Sequence, residues 1–233
     1  MKFVIDEKIF EKYPKTKIGV VIAKGIDNSG EVPEIMELIQ EEEKRIKENY
    51  NTETLSQDSK IDCWRKAYFL FGVKPKEYRC SIENLYRMIL KDIELRHINK
   101  LVAIYNYISI KYMYPVGGED LDKMKGDLCL CFAGDDEKEV ELLGEKEIKT
   151  PKPGEVIYKD DITAVCRRWN WREASRTKLT ENTKNAVLVI ESLMEDKDEL
   201  KTALEELKEL IEKYCGGDLR VEILDEGKRE VEI

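Results

Sequence analysis

The strongest constraint on the fold is the order in which two kinds of periodicity follow one another along the chain. Residues 98–113 carry apolar side chains at helical spacing, among them Ile98, Tyr105 and Tyr112, and Pro115 then ends the pattern. After this point short apolar runs take over, at residues 127–132, 140–143, 156–159, 162–168 and 186–190. Helices followed by strands predict an α+β protein.

The flanking segments extend this prediction. Residues 2–5 and 17–23 read as strands, and residues 33–50, 59–71 and 81–93 read as helices, the last beginning with a cap-like Ser81-x-x-Asn84. The end of the chain reads as strand, helix and strand, with the helix over residues 198–214. We expect a mixed central sheet with flanking helices, and a crossover unit at the end if its two strands are parallel.

A chain of 233 residues is long enough for one sizeable core. We expect residues 1–60 to form N-terminal strands and a helix packed on that core. Residues 61–233 would form the main domain, with the strand-helix-strand as its extension.

Composition excludes several classes of function. The net charge of −9 argues against a nonspecific nucleic-acid binder, so any such contact must come from a local basic cluster. Six scattered cysteines and a single histidine, His97, leave almost no ligands for zinc, so we expect no metal, no cofactor and reduced thiols. No apolar stretch approaches the roughly 20 residues of a membrane span, which predicts a cytoplasmic protein without membrane contact.

The helix over residues 98–113 carries the first polar group of interest. Asn99, Ala103 and Asn106 fall on one stripe, with Arg96 just ahead of it. Such a line can form a ligand-facing wall, because Asn offers both a donor and an acceptor. From periodicity alone, side chains that cap turns and bind neighbouring backbone explain the stripe better.

Gly117 and Gly118 follow that helix directly. Two glycines free the backbone to present N–H groups to an oxyanion or a carboxylate. An ordinary tight turn explains them equally well.

The second group of interest is the segment 166–178, CRRWNWREASRTK, where five basic residues stand against one acid. If the preceding strand continues, Trp169 and Trp171 point to one side, and Arg168, Asn170 and Arg172 point to the other. Aromatic rings backed by guanidinium groups suit a base, a terminal ribose or an aromatic side chain. Two core tryptophans beside surface arginines are the competing interpretation.

Several acids stand at predicted turns or strand ends, where a base that activates water can lie: Glu119, Asp120, Asp122, Asp160, Asp161 and Glu191. Most such acids have no catalytic role. His97 is more typical of a structural histidine at a helix start, and a single histidine provides no Cys-His pattern for covalent catalysis.

At this point the residues resemble a known family. The stretch RHINKLVAIYNYISIKYMYPVGGEDLDKMKGDL is similar to the R-x-I-N-x-V-V-D-x-x-N-Y-V stretch and the following turn of the editing (B3/B4) module in the phenylalanyl-tRNA synthetase β subunit. The positions that carry this match are Arg96, Ile98, Asn99, Val102, Asn106, Tyr107, Pro115 and Asp120. Downstream, ENTKNAVLVIES resembles the D-E-T-x-N-V-L-L-E-S strand of the same module, so the resemblance covers roughly residues 63–193.

The segment CRRWNWR and the turn PVGGED resemble those of freestanding B3/B4-domain proteins. In the synthetase the module hydrolyses tyrosine wrongly attached to the phenylalanine tRNA. This chain departs from it in having Gly117 at the position of an editing-site histidine, and in having the Arg/Trp segment in place of an Ile-Met-Gly-Gly region. The identity of the substrate therefore does not carry over.

The resemblance implies a B3/B4-like α+β fold and two functional hypotheses. In the first, the chain hydrolyses mischarged aminoacyl-tRNA in trans. Gly117 and Gly118 would then line the amino-acid pocket, Asn99 and Asn106 orient polar atoms, residues 169–172 hold the terminal nucleotide, and Asp120 or Glu191 bind the ammonium or position water. In the second, it is a non-catalytic module that binds a free amino acid or a tRNA end. Neither makes it a complete synthetase, because no ATP-binding catalytic domain is evident.

Overall fold

The structure is a computed structural model that describes residues 1–145 and 147–233. Within these residues the helices are α1 Glu7–Lys12, α2 Pro33–Asn49, α3 Ser59–Leu70, α4 Ser81–Ile89, α5 Lys100–Tyr112 and α6 Asp198–Cys215. Short 3-10 turns occur at Leu55–Gln57 and Leu121–Lys123.

The strands divide between two sheets. They are β1 Lys2–Ile5, β2 Lys17–Lys24, β3 Val116–Asp120, β4 Leu128–Phe132, β5 Val156–Lys159, β6 Ala164–Arg167, β7 Arg172–Glu173, β8 Asn185–Ser192, β9 Asp218–Leu224 and β10 Glu230–Glu232. One sheet has the order β10-β1-β4-β5-β6-β7 and is mixed, because β1 and β4 run parallel while its other pairs are antiparallel. The other has the order β3-β8-β2-β9 and is antiparallel. The predicted α+β fold with a mixed sheet and flanking helices is confirmed, although the strands form two sheets.

The N-terminal strands lie inside these sheets. Strand β1 pairs with both β10 and β4, and β2 pairs with both β8 and β9. The first two strands of the chain therefore form hydrogen bonds within both sheets. A domain boundary near residue 60 stays a prediction.

The end of the chain forms the predicted strand-helix-strand. Strands β8 and β9 both run antiparallel to β2, so they are parallel to each other with β2 between them. Helix α6 packs on this sheet, where a Cβ atom added to Gly19 would lie 3.1 Å from Leu204 Cδ1. A glycine in β2 thus lets the helix approach the sheet closely.

Helix α5 matches the strongest sequence signal, but its first polar residue is a cap. Asn99 Oδ1 accepts a hydrogen bond from the backbone N–H of Val102 (3.1 Å), and Asn99 Nδ2 donates to the carbonyl of Leu179 (3.2 Å). The helix ends at Met113, whose φ of 57° is left-handed. This geometry orients α5 so that β3 begins directly after it.

Three local predictions differ from the structure. Helix α4 ends at Ile89, well before residue 93, and its N-cap is Cys80, so the cap proposed for Ser81 is wrong. Val140 and Leu142 form only isolated bridges, so the strand predicted over residues 140–143 is absent from the described residues.

None of the helices in the described parts of the chain combines the length and apolarity needed to cross a bilayer.

Candidate functional site

A cavity of about 730 Å³ lies between the two sheets, with helices α4 and α5 closing its sides. It is lined both by Gly117 and Gly118 and by residues 168–172. The two segments singled out in the sequence therefore face a common space. A volume of this size suits a small organic group rather than a single ion.

The alternation of side chains selects which residues of β3 and β8 face the cavity. Gly117 pairs with Val189 and Glu119 pairs with Val187, and all four line the cavity together with Glu191. Leu188 and Ile190 of β8, one position along, do not line the cavity, because side-chain direction alternates in a strand. A Cβ atom on Gly118 would lie 3.0 Å from both Leu188 Cγ and the carbonyl of Val187, so close packing requires glycine there.

The six-stranded sheet contributes the opposite wall. Tyr158 pairs with Cys166, and Cys166 pairs with Glu173, so the register places these three side chains in one row across β5, β6 and β7. All three line the cavity. The space between the sheets is therefore bounded by acids on both sides.

Glu191 is the most firmly positioned of these acids. Its Oε1 accepts a hydrogen bond from the Tyr158 hydroxyl, and its Oε2 accepts one from Asn170 Nδ2 at 2.7 Å. Asn170 is itself oriented by the Tyr68 hydroxyl, which donates to Asn170 Oδ1 at 2.9 Å. Burial raises the pKa of Glu191 to about 7, although both hydrogen bonds act in the opposite direction. Near neutral pH this carboxyl group can both release and accept a proton.

Glu119 and Glu173 lie together on the other side of the cavity. Burial, followed by repulsion from Glu173, raises the pKa of Glu119 well above its usual value. Burial also raises the pKa of Glu173 to about 7, and the nearby backbone N–H of Gly118 acts against this shift.

Cys166 lies within this group of acids as a neutral thiol. Burial and the charges of Glu173, Glu119 and Glu191 raise the pKa of Cys166 well above its usual value. A thiol in such a negative, buried setting is a poor nucleophile. Cys166 is therefore not an activated nucleophile.

The aromatic and basic residues of the cavity form a stacked group. Arg168 Cζ lies 3.7 Å from the centroid of the Tyr78 ring and 4.3 Å from that of Trp171, and the two rings meet edge to face at 5.0 Å. Arg172 lies beside them, with Nη1 donating to the carbonyl of Leu143 (3.0 Å). These contacts hold two cationic planes against the cavity wall.

The predicted alternation of the two tryptophans is wrong. The strand does not continue past Arg167, because Arg168 and Trp169 adopt left-handed φ values of 50° and 65°. Trp169 is fully buried, with Trp64 and Tyr13 packed against its ring at 5.1 and 5.0 Å. Its indole packs within the core although the residue borders the cavity, whereas Trp171 is half-buried.

Three further residues predicted for the site lie elsewhere. Asn99 caps α5, Arg96 is exposed, and neither lines the cavity. Asp120 alternates away from Glu119, accepting hydrogen bonds from the Thr183 hydroxyl (2.7 Å) and the backbone N–H of Asp122 (3.0 Å). The predicted residues that do line the cavity are Asn106, Gly117, Gly118, Arg168, Trp169, Asn170, Trp171, Arg172 and Glu191.

Sequence reasoning did not assign Glu173 or Tyr158 to the site, and it ranked Glu119 low. For Glu119 a signal was present, because it stands two residues from Gly117 and therefore shares its face of a strand. For Tyr158 and Glu173 no local signal exists, since register between strands brings them in. No group of three or more His, Cys, Asp or Glu side chains suited to a metal occurs in the part of the chain that the structure describes.

Comparison with known proteins identifies the family. No curated protein matches the chain. Among solved structures, the chain is similar to an N-terminal fragment of the phenylalanyl-tRNA synthetase β-subunit from Pyrococcus horikoshii, at 15% identity and a TM-score of 0.43. The alignment covers 93% of this chain and 49% of that one, so the chain spans about half of the fragment, and the similarity is too distant to establish a function.

The family comparison is more direct, because the model of the B3/4 domain matches residues 63–216. This range includes α5, the glycine pair, the segment 168–172 and β8, and thus every wall of the cavity. The chain belongs to the B3/4 domain family.

Proposed function

We propose that this chain is a freestanding editing module that hydrolyses mischarged aminoacyl-tRNA in trans. The observation that carries the proposal is Glu191, an acid with a pKa near neutrality held by two neutral hydrogen-bond donors at the cavity wall. Membership of the B3/4 domain family supports the substrate class, since the sequence of residues 63–193 resembles the editing module of a tRNA synthetase.

Hydrolysis of an aminoacyl ester requires a base and a fixed geometry. Each oxygen of Glu191 uses one lone pair for Tyr158 or Asn170, which leaves a second lone pair for a water molecule. That water would attack the ester carbonyl carbon and pass a proton to Glu191. When the tetrahedral intermediate collapses, its bond to the ribose oxygen would break, and the protonated Glu191 would donate its proton to that oxygen.

The remaining walls supply recognition. Gly117 leaves room beside the carbonyl, because even one added Cβ atom there would lie 3.1 Å from Glu173 Oε1. The Arg168, Trp171 and Arg172 group would hold the terminal nucleotide by stacking and by phosphate contact. Asn106, half-buried on α5, would orient a polar atom of the substrate.

The experiment is a panel of correctly and incorrectly charged tRNAs incubated with excess protein, with release of the amino acid followed over time. We expect release from at least one mischarged tRNA, and a fall of about a hundredfold or more in Glu191→Gln, since positioned acid-base groups contribute rates of this order. Glu181→Gln, which changes an exposed acid outside the cavity, is the matched control. No release above buffer from any member of the panel would refute the proposal.

One observation favours a second function, the non-catalytic binding of an amino acid or a tRNA end. Both oxygens of Glu191 are already hydrogen-bonded, a geometry that also suits a fixed acceptor for an ammonium group. Thermal stabilisation by a free amino acid, without turnover of any ester, would support this function over hydrolysis.

A further inference from the structure

The Glu119–Glu173 pair is separate from Glu191 and has no role in the proton transfer proposed above. The two side chains come from different sheets: Glu119 from β3 and Glu173 from β7. Both line the same cavity: Glu119 stands two residues after Gly117 in β3, and Glu173 Oε1 lies 3.1 Å from the position of a Cβ atom added to Gly117. Two acids therefore converge on one part of the cavity wall.

Glu119 has the environment of a buried acid that lacks its partner. The residue is only 7% exposed, and among the described residues its Oε2 accepts no hydrogen bond. The Thr177 hydroxyl and the charge of Arg176 act against the rise in the pKa of Glu119. Arg176 nevertheless forms its hydrogen bonds elsewhere, because its Nη2 contacts Asp160 Oδ1 at 2.7 Å and its Nη1 donates to the carbonyl of Lys123 at 2.6 Å. No cationic side chain described by the structure forms an ion pair with either member of the pair.

Placing two carboxyl groups side by side in a buried position costs free energy. A buried carboxyl group without a hydrogen bond or a counter-charge is unfavourable, and a second acid beside it adds repulsion. The raised pKa values of both groups are the expected response, since a shared proton lowers the charge. A ligand that brings a positive charge and N–H donors would relieve both costs.

We propose that the Glu119–Glu173 pair is a subsite for an ammonium group on the aminoacyl part of the substrate, an inference that rests on the proposed function of the cavity. The ammonium group has two sources in such a substrate. Every aminoacyl ester carries one on its α carbon, and lysine-like side chains carry a second.

The test uses three amides that cannot be hydrolysed as esters: norleucinamide, lysinamide and 2-hydroxyhexanamide. Norleucinamide and 2-hydroxyhexanamide differ in the α-ammonium, and lysinamide adds one at the end of the side chain. Titration calorimetry with the full chain should show a preference of about tenfold or more for the added ammonium, as a charged hydrogen bond in a buried site provides. A preference for norleucinamide over 2-hydroxyhexanamide would identify the α-ammonium as the bound group. A preference for lysinamide over norleucinamide would identify the ammonium of the side chain.

Two variants assign the preference to the pair. In Glu119→Gln and in Glu173→Gln the preference should fall to about twofold or less, while Glu181→Gln should keep it. Gln retains the size of the side chain, and a melting curve for each variant reports whether it is folded. No saturable binding of either amine, or a preference unchanged in both folded variants, would overturn the inference.

The result is independent of ester hydrolysis. Binding that depends on the ammonium, together with a panel of tRNAs that shows no release, would remove the proposed function and keep the subsite. Hydrolysis without any dependence on the ammonium would remove the subsite and keep the proposed function.

Discussion

Two groups of buried glutamates in this protein have opposite surroundings. Glu83 is fully buried, and it receives hydrogen bonds from Arg65 Nη1 (2.8 Å) and Arg87 Nε (2.9 Å). Glu155 is similarly enclosed and receives two from Arg167, at 2.9 and 2.8 Å. Glu119, Glu173 and Glu191 of the cavity, by contrast, form no ion pair with a cationic side chain that the structure describes.

The difference separates structural acids from candidate functional ones. Acids that hold the fold together are paired with guanidinium groups, which offset the cost of burying their charge. Acids at the cavity lack this compensation and shift their pKa values upwards instead. Burial without a cationic partner therefore indicates a place where a ligand supplies the missing contact.

The largest expected effect comes from breaking a structural pair. Arg167→Met would leave the buried Glu155 with backbone N–H donors and the more distant guanidinium of Arg168, whose Nε lies at 4.0 Å. We expect the free energy of unfolding to fall by about 3–5 kcal/mol. Urea denaturation followed by circular dichroism measures this. The matched control is Arg172→Met in the same hairpin, where the partly exposed guanidinium should contribute about 1 kcal/mol or less. Equal losses in both variants would contradict the distinction between the two groups.

The pH dependence of stability sharpens the comparison at the cavity. Below its usual pKa, Glu191 is protonated in both the folded and the unfolded chain. As the pH rises towards the folded value of about 7, the unfolded chain ionises first, so this group lowers stability. Above that value the loss of stability is complete and amounts to roughly 3 kcal/mol.

Glu191→Gln cannot ionise and should escape this loss. The stability of Glu191→Gln relative to the wild type should therefore rise by roughly 2–3 kcal/mol between about pH 5 and about pH 8. Urea denaturation of both proteins across this range, with Glu181→Gln as the control, gives the difference. Parallel curves for all three would contradict a raised pKa at Glu191.

A smaller effect distinguishes two asparagines that the sequence placed on one stripe. Asn99→Ala removes the cap of α5 and should cost about 1–2 kcal/mol of unfolding free energy, while leaving ester hydrolysis unchanged in the folded protein. Asn106→Ala should show the reverse, with stability within about 0.5 kcal/mol of the wild type and weaker substrate binding. Reversed outcomes would mean that the ligand binds nearer to the start of the helix.

The smallest stability effect is expected at the stacked group. Trp171→Leu removes its contacts with Tyr78 and Arg168, and should cost about 1 kcal/mol. We expect affinity for a short RNA that ends in CCA to fall by about tenfold, measured by fluorescence anisotropy. Unchanged affinity would place the nucleotide outside this group.

Local periodicity predicted most of the framework. Helix α5 was expected over residues 98–113 and spans Lys100–Tyr112, and α3 was expected over residues 59–71 and spans Ser59–Leu70. Strands β1 and β2 were placed equally well. These elements follow from signals within the segments themselves: apolar spacing, capping residues and chain-breaking Pro and Gly.

The candidate site was predicted in part. The meeting of the glycine pair with the segment 168–172 was expected, yet the positions of Trp169 and Asp120 were not. Trp169 faces the core because two non-glycine residues adopt left-handed backbone angles, which no local pattern announces. Asp120 was assigned to the site through its match to the turn of the related module, whereas the start of β3 sets the direction of each side chain and points Asp120 away.

The sequence by itself determined the family, the α+β class and the segments that build the cavity, because each depends on patterns within short stretches of chain. Only the tertiary structure decided which acids face the ligand space and which lack partners. Glu119, Glu173 and Glu191 lie on three strands from two sheets, and their proximity depends on strand register and on how the sheets stack. Those are long-range properties, and a single sequence carries no local signal for them.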